Sequence, residues 1–349
     1  MHRPSSARGA FIALVTAGAC AAPARTPVAS PATIRPIVIA HRGASGHRPE
    51  HTLAAYSLAI DMGADFIEPD LVSTKDSVLV ARHENEIGGT TDVATKFPDR
   101  RSTRTIDGRS LTGWFTEDFT LAELRTLRAK ERMASRSHAN DGREAIPTLE
   151  EILDLVERRS RETGRRIGIY PETKHSSYFR SIGRPLEEPL LAALARRAWT
   201  TPAAPVFIQS FEVENLRALR SRTGVRLVQL IDSHGGPVDS SVASDVPATY
   251  AAMTTPEGLA RISRYANAVG VNKSLIQPID GAGRRGTPTS LVADAHRAGL
   301  AVHVWTMRSD ELPKAYAGDA AAEWRTFAAL GVDGIFGDFP DVGVAALAR

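Results

Sequence analysis

A single cysteine among 349 residues rules out an intramolecular disulfide, so the fold must rest on packing or on a bound metal. Long hydrophobic runs are also missing. The most apolar stretch near the start, Ala10 to Ala19, is far shorter than the roughly 20 residues a membrane-spanning helix needs. There is no block of like charge, and a net charge of +3 suits attraction of a small anion while falling far short of a nucleic-acid footprint. No fixed-period repeat points to a solenoid or a propeller. What is present, 42% hydrophobic residues, suffices for a substantial core in one large domain or two ordinary ones.

The first residues have the order of an export signal, with His2, Arg3 and Arg8 ahead of the apolar run. Cys20 follows Ala17-Gly18-Ala19, a setting similar to the point where bacterial lipoproteins are cleaved and acylated, although Ala17 stands where leucine is usual. Acylation of Cys20, with a membrane tether, and ordinary cleavage near Ala22 or Ala24 are both open. Residues 21–35 are rich in proline and alanine and read as a tether. The expected organisation is therefore a leader and tether over 1–35 and a catalytic domain over 36–349, exported to the periplasm or cell surface.

The chemistry concentrates between His41 and Glu86. Ile34 to Ala40 is apolar and β-branched and stops at His41-Arg42-Gly43, as a buried strand does when it delivers a polar tip into a loop. Thr52 is placed to cap a helix carrying Leu53, Tyr56 and Ile60, and Gly63 falls where a left-handed terminus belongs. Along Phe66 to Val72, period-2 alternation puts Glu68 and Asp70 on one face and Ile67 and Leu71 on the other. Two carboxylates side by side invite a cation. Val78 to Ala81 reads as another strand, ending at His83. Further strands end in Glu172-Thr173-Lys174, Asn272-Lys273, Trp305-Thr306 and Gly337-Asp338, each after a helical pattern. Alternating strands and helices imply a parallel sheet, and in a TIM-type (β/α)8 barrel all those strand ends share the rim where active sites lie. Nine strand candidates stand against the eight that a closed barrel needs, so Phe66–Val72 and Val78–His83 are expected to form a partly protruding hairpin.

Between the strands, residues 84–146 are polar and glycine-interrupted, too long for an ordinary barrel loop, and read as an insertion over the active-site mouth with a helix at Thr120 to Arg128. Trp114 and Phe115 within it either anchor it to the barrel or wall the substrate. Trp305 is either core or a substrate contact. His47, His51, His175, His234 and His296 read as non-catalytic, with His51 near enough in sequence to support His41.

His41-Arg42-Gly43-Ala44, Pro49-Glu50-His51-Thr52, Gly63 to Asp70, Thr74-Lys75-Asp76 and His83-Glu84-Asn85 resemble the signature of the glycerophosphodiester phosphodiesterase family, in its exported, calcium-dependent bacterial branch. The resemblance extends over most of residues 37–340 and implies a barrel of the phospholipase-C-like phosphodiesterase type. It also implies that Glu172 completes a metal site begun by Glu68 and Asp70, that Lys174 faces the phosphate and that Trp305 meets substrate. Attack by the substrate's own neighbouring glycerol hydroxyl, giving a cyclic phosphate that water later opens, is implied as well.

Oxygen-only ligands favour calcium, or alternatively magnesium, over zinc. Arg42 can bridge a phosphate with two parallel hydrogen bonds. His41 and His83 would divide the proton traffic, His41 favoured as base and His83 as acid. The expected activity is hydrolysis of glycerophosphodiesters to sn-glycerol 3-phosphate and an alcohol. Alternatives are a phospholipase D-like or inositol-specific phosphodiesterase on the same barrel, and an exported protein that captures glycerophosphodiesters without turnover.

Overall fold

The structure is a computed structural model that describes residues 1–2, 35–241 and 245–348. The leader, Cys20 and most of the tether lie outside the described residues. Arg35–Arg349 forms one compact unit, and no described helix is long and apolar enough to cross a membrane.

Among the described residues thirteen strands carry the architecture: β1 (Ile37–His41), β2 (Phe66–Glu68), β3 (Asp70–Ser73), β4 (Leu79–Ala81), β5 (Ser102–Ile106), β6 (Arg109–Gly113), β7 (Gly168–Ile169), β8 (Glu172–Thr173), β9 (Phe207–Ser210), β10 (Arg226–Ile231), β11 (Ala268–Asn272), β12 (Ala301–Met307) and β13 (Gly334–Gly337). Only Pro69 separates β2 from β3. Tyr170 and Pro171 separate β7 from β8. Proline supplies no N–H to a ladder, which is why each of these strands is recorded in two pieces. Taken as one strand each, they complete a ring of eight parallel strands. β13 pairs with β1, β1 with β2 and β2 with β7; β3 pairs with β8 and β8 with β9; β9 to β13 then follow in order. The ninth candidate is β4, antiparallel to β3, so the hairpin expected from the strand count is present.

Two apolar layers hold the ring. Inside it, Ile39, Tyr170, Phe207, Val228, Ala268 and Phe336 form a plug beneath the rim. Tyr170 stacks on Phe207 at 5.0 Å and its hydroxyl meets His303 Nδ1 at 2.6 Å. Outside it, the alternate strand residues Val38, Ile67 and Leu71 pack against helices, among them Leu149–Thr163 through Ile152, Leu153 and Val156. Helix starts follow their caps. The Thr52 hydroxyl accepts from Ala55 N–H at the head of Leu53–Asp61. Thr148 and Glu151 form a reciprocal capping box, a pairing that satisfies two otherwise orphaned N–H groups.

The insertion is more ordered than its composition suggests. β5 and β6 form an antiparallel hairpin turned by Asp107-Gly108, with φ of 51° and 75°, the left-handed pair that a tight hairpin turn requires. The expected helix at Thr120–Arg128 is shorter, Leu121–Leu124, closed by a Thr120/Glu123 capping box. Phe115 and Phe119 are fully buried, Trp114 Nε1 donates to Phe97 O within the insertion, and the Trp114 side chain packs against the outer core.

Candidate active site

Strand register places the acids. His41 lies opposite Glu68, Asp70 opposite Glu172, and Glu172 opposite Gln209, so one level of the ring carries all of these side chains. Oxygens of Glu68, Asp70 and Glu172 lie within 4.8 Å of one another, and all three residues are buried. Neighbours fix them. Glu68 accepts from the Arg42 backbone N–H at 2.8 Å and from Gln209 Nε2 at 3.0 Å. Asp70 Oδ2 accepts from His51 Nε2 at 2.9 Å. Glu172 pairs with Lys174 Nζ at 3.0 Å.

Three carboxylates packed this way repel one another. Burial, reinforced by Asp70 and Glu172, holds Glu68 well above the ordinary carboxylate range. Burial likewise pushes Glu172 up to about 8 against the opposing pull of Lys174. Burial would raise Asp70 too, but the hydrogen bond from His51, with the cationic surroundings that include Lys174, outweighs it and holds Asp70 well below the ordinary carboxylate range. Asp70 Oδ1 is buried with no hydrogen-bond partner. A buried acceptor left unpaired is costly, and an all-oxygen pocket with an orphaned carboxylate oxygen fits a hard divalent cation.

This arrangement predicts a pH-dependent stability for the metal-free protein. Above the ordinary glutamate value of 4.5, the folded chain still holds a proton on Glu172 that the unfolded chain has released, so the contribution of this group to stability falls as pH rises towards 8. Melting temperatures from pH 6.5 to 8 should decline, Glu172→Gln should make the decline shallower, and calcium added at pH 8 should raise the melting temperature while releasing protons.

The two histidines face the same pocket of about 110 Å³, which Arg42, Glu68, Glu172 and Trp305 also line. His41 Nδ1 donates to Asp338 Oδ1 at 2.6 Å, and Asp338 Oδ2 is held by Arg136 at 2.6 Å and Arg308 at 3.1 Å. His83 Nδ1 donates to Glu84 Oε1 at 2.8 Å while its Nε2 accepts from Lys174 Nζ at 3.4 Å. Each imidazole thus has one nitrogen engaged by a carboxylate. Burial and the Arg42 charge lower His41 to about 4. Burial, Arg42 and Lys174 lower His83 to about 3. Both are neutral at pH 7. Arg42, left-handed at φ 61°, donates through Nη1 to Glu50 at 3.0 Å, and its buried Nε, without a hydrogen-bond partner, lies 3.6 Å from Asp70 Oδ2. Trp305 Nε1 donates to Gly270 O and its ring meets Phe211 edge-on at 6.0 Å.

The ring therefore gathers His41, Arg42, Glu68, Asp70, His83, Glu172, Lys174 and Trp305 around one site, whereas Lys273 at the end of β11 pairs with Glu323 at 2.8 Å. One expectation is corrected: His51 does not support His41. Its Nε2 is spent on Asp70 and its Nδ1 accepts from the Tyr56 hydroxyl at 2.8 Å, so it buttresses the carboxylate trio. Asp338 was legible as an acid at a strand end but went unassigned, because its partner lies 297 positions away. Glu84 stood in the His83-Glu84-Asn85 motif without a role, His175 read as non-catalytic, and Arg136 gave no signal.

A sequence model of the glycerophosphoryl diester phosphodiesterase family matches residues 41–342. Glycerophosphodiester phosphodiesterase GDPD6 of Arabidopsis thaliana is 36% identical, over 88% of this chain and 84% of that one. The glycerophosphodiester phosphodiesterase of Haemophilus influenzae is 31% identical over 89% of each. Among solved structures, a glycerophosphodiester phosphodiesterase from Agrobacterium tumefaciens superposes with a TM-score of 0.56 at 21% identity, covering 89% of this chain and 99% of that one. An Oleispira antarctica phosphodiesterase in complex with the product sn-glycerol-3-phosphate does so with a TM-score of 0.58 at 20% identity, covering 90% and 98%.

Proposed function

The chain belongs to the glycerophosphoryl diester phosphodiesterase family, and from that premise we propose how its own residues hydrolyse glycerophosphodiesters to sn-glycerol 3-phosphate and an alcohol. Capture without turnover is set aside by that membership. The observation that carries the mechanism is the register of the rim, which aligns Glu68, Asp70 and Glu172 in a pocket that His41 and His83 also line.

Glu68, Asp70 and Glu172 would hold a divalent cation, which when bound offsets the charge that builds on the non-bridging phosphate oxygens. Calcium is the ion we favour, with magnesium as the alternative, because the donors are all oxygens and among the described residues no cysteine or histidine cluster joins them. The Arg42 guanidinium and the Lys174 ammonium face the same phosphate and orient it. Neutral His41 takes the proton of the attacking hydroxyl, either the substrate's own neighbouring glycerol hydroxyl or water. Asp338 at 2.6 Å stabilises the imidazolium that results. His83 takes up a proton from solvent at Nε2 when the anionic substrate binds and delivers it to the departing alkoxide. Its basicity at rest is depressed partly by Arg42 and Lys174, and an anionic phosphate set among these cations offsets that depression. The acid role suits His83 because Glu84 beside it lines a wider cleft of about 890 Å³ through which an alcohol can leave. The order of residues 1–35 supports export, with Cys20 either acylated or removed with the leader.

The test is an assay of the mature protein on a panel of glycerophosphodiesters, reading glycerol 3-phosphate and the free alcohol. Turnover of glycerophosphocholine or glycerophosphoethanolamine in the presence of calcium is expected. Failure to release glycerol 3-phosphate from any member of the panel, with either calcium or magnesium, would overturn the reading.

A further inference from the structure

His175 follows Lys174 at the exit of β8, and its backbone is left-handed at φ 49°, a conformation uncommon for a residue that carries a side chain. It precedes the helix Ser176–Ser181 yet makes no side-chain cap bond there. The side chain is spent elsewhere. Its Nε2 lies 3.0 Å from Glu84 Oε2 and its Nδ1 lies 2.6 Å from Asp107 Oδ2. With a carboxylate on each nitrogen both must donate, so the ring is an imidazolium. Burial opposes that charge, but the two hydrogen bonds outweigh it and lift His175 to about 9. Glu84 uses its other oxygen to accept from His83 Nδ1 at 2.8 Å. Asp107 sits at the turn of the β5–β6 hairpin, again left-handed. An unbroken series therefore runs from the tip of the insertion to the pocket: Asp107, His175, Glu84, His83.

We infer that Asp107 and His175 are positioning residues for the hydrolysis, through which the insertion holds Glu84 in place and so fixes the ring of His83 with its Nε2 turned toward the phosphate. The inference rests on the assignment of His83 to proton transfer. The Glu84 side chain is 45% exposed and would otherwise be free to rotate into solvent, and each rotamer-rich side chain has entropy to lose on being fixed. His175, only 12% exposed and clamped at both ends, fixes the second carboxylate oxygen. With both oxygens held, Glu84 can dictate which nitrogen of His83 carries the resting proton. The insertion serves the other histidine in the same manner, since Arg136 secures Asp338 and Asp338 orients His41. Residues 84–146 thus support both imidazoles while lying outside the ring of strands.

Four variants test this in the cation-saturated protein with glycerophosphocholine: His175→Ala, Asp107→Asn, His83→Ala, and His83→Ala combined with His175→Ala. Asp107→Asn keeps a residue that tolerates the left-handed turn, so it guards against a His175→Ala chain that folds poorly. Carboxylate partners of functional histidines in metal sites are typically worth ten- to a hundred-fold, and kcat should fall by about that factor in each of the first two variants while KM stays within about two-fold. Adding His175→Ala to His83→Ala should lower kcat no further, because the partner it positions is already gone. Wild-type kcat in both His175→Ala and Asp107→Asn would overturn the inference, as would an undiminished effect of His175→Ala in the His83→Ala background. Wild-type kcat in His83→Ala itself would instead sink the assignment on which the inference stands.

Discussion

Replacing His41 or His83 with alanine should lower kcat by about a hundred-fold to ten-thousand-fold each, with the melting temperature nearly unmoved. The separation of the two effects follows from how the rings are held. His41 contributes one hydrogen bond to Asp338, and Asp338 keeps Arg136 and Arg308 when the imidazole is gone, so no carboxylate is stranded. His83 is 32% exposed and contacts Glu84, which retains His175. Neither ring belongs to the apolar plug or the outer core. Because the two act on one reaction at opposite proton transfers, the double variant should be far less than multiplicatively impaired. Steady-state kinetics with thermal melts on the same preparations check this, and near-wild-type turnover in either single variant would contradict the two-histidine scheme.

Removing the cation is the second large effect. With no cation among Glu68, Asp70 and Glu172, an incoming phosphodiester meets carboxyl oxygens grouped within 4.8 Å that offer it no positive charge, and Arg42 is partly spent on Glu50. A chelator should therefore take activity to background, and either calcium or magnesium should return it. Glu172→Gln keeps the shape of the site but removes one charge and the ion-pair partner of Lys174. At limiting cation it should lose at least about a hundred-fold in kcat/KM, a size set by the several kcal/mol that fixed charges supply to such transition states. Inductively measured metal content, read beside the rates, separates weak cation binding from a damaged site.

Much of this was legible because barrel strands end in whatever the rim needs. Apolar runs that stop abruptly at His41, Glu68, Glu172 and Trp305 are local signals, and the ring of parallel strands turned them into one site. The alternation that put Glu68 and Asp70 on a common face survived the break at Pro69. Strand counting also gave the β3–β4 hairpin, since one candidate exceeded the ring. What was not legible depends on contacts distant in sequence. Arg136 reaches Asp338 across 202 positions and Asp107 reaches His175 across 68, both from an insertion whose polar composition gives no hint of partners. His51 misled for a related reason. Proximity in sequence suggested His41, whereas its left-handed backbone at φ 57° accompanies a side chain bonded to Asp70 and Tyr56.

In the proposed mechanism a single cation held by Glu68, Asp70 and Glu172 sits with His41 and His83 around one phosphate. Titrating the metal-free protein with calcium while following glycerol 3-phosphate release from glycerophosphocholine tests it most directly. No turnover is expected at the start, with activity rising to a plateau at one equivalent of bound ion and no such rise in Glu172→Gln over the same range. Full turnover before any calcium is added, or an unchanged titration in Glu172→Gln, would contradict it.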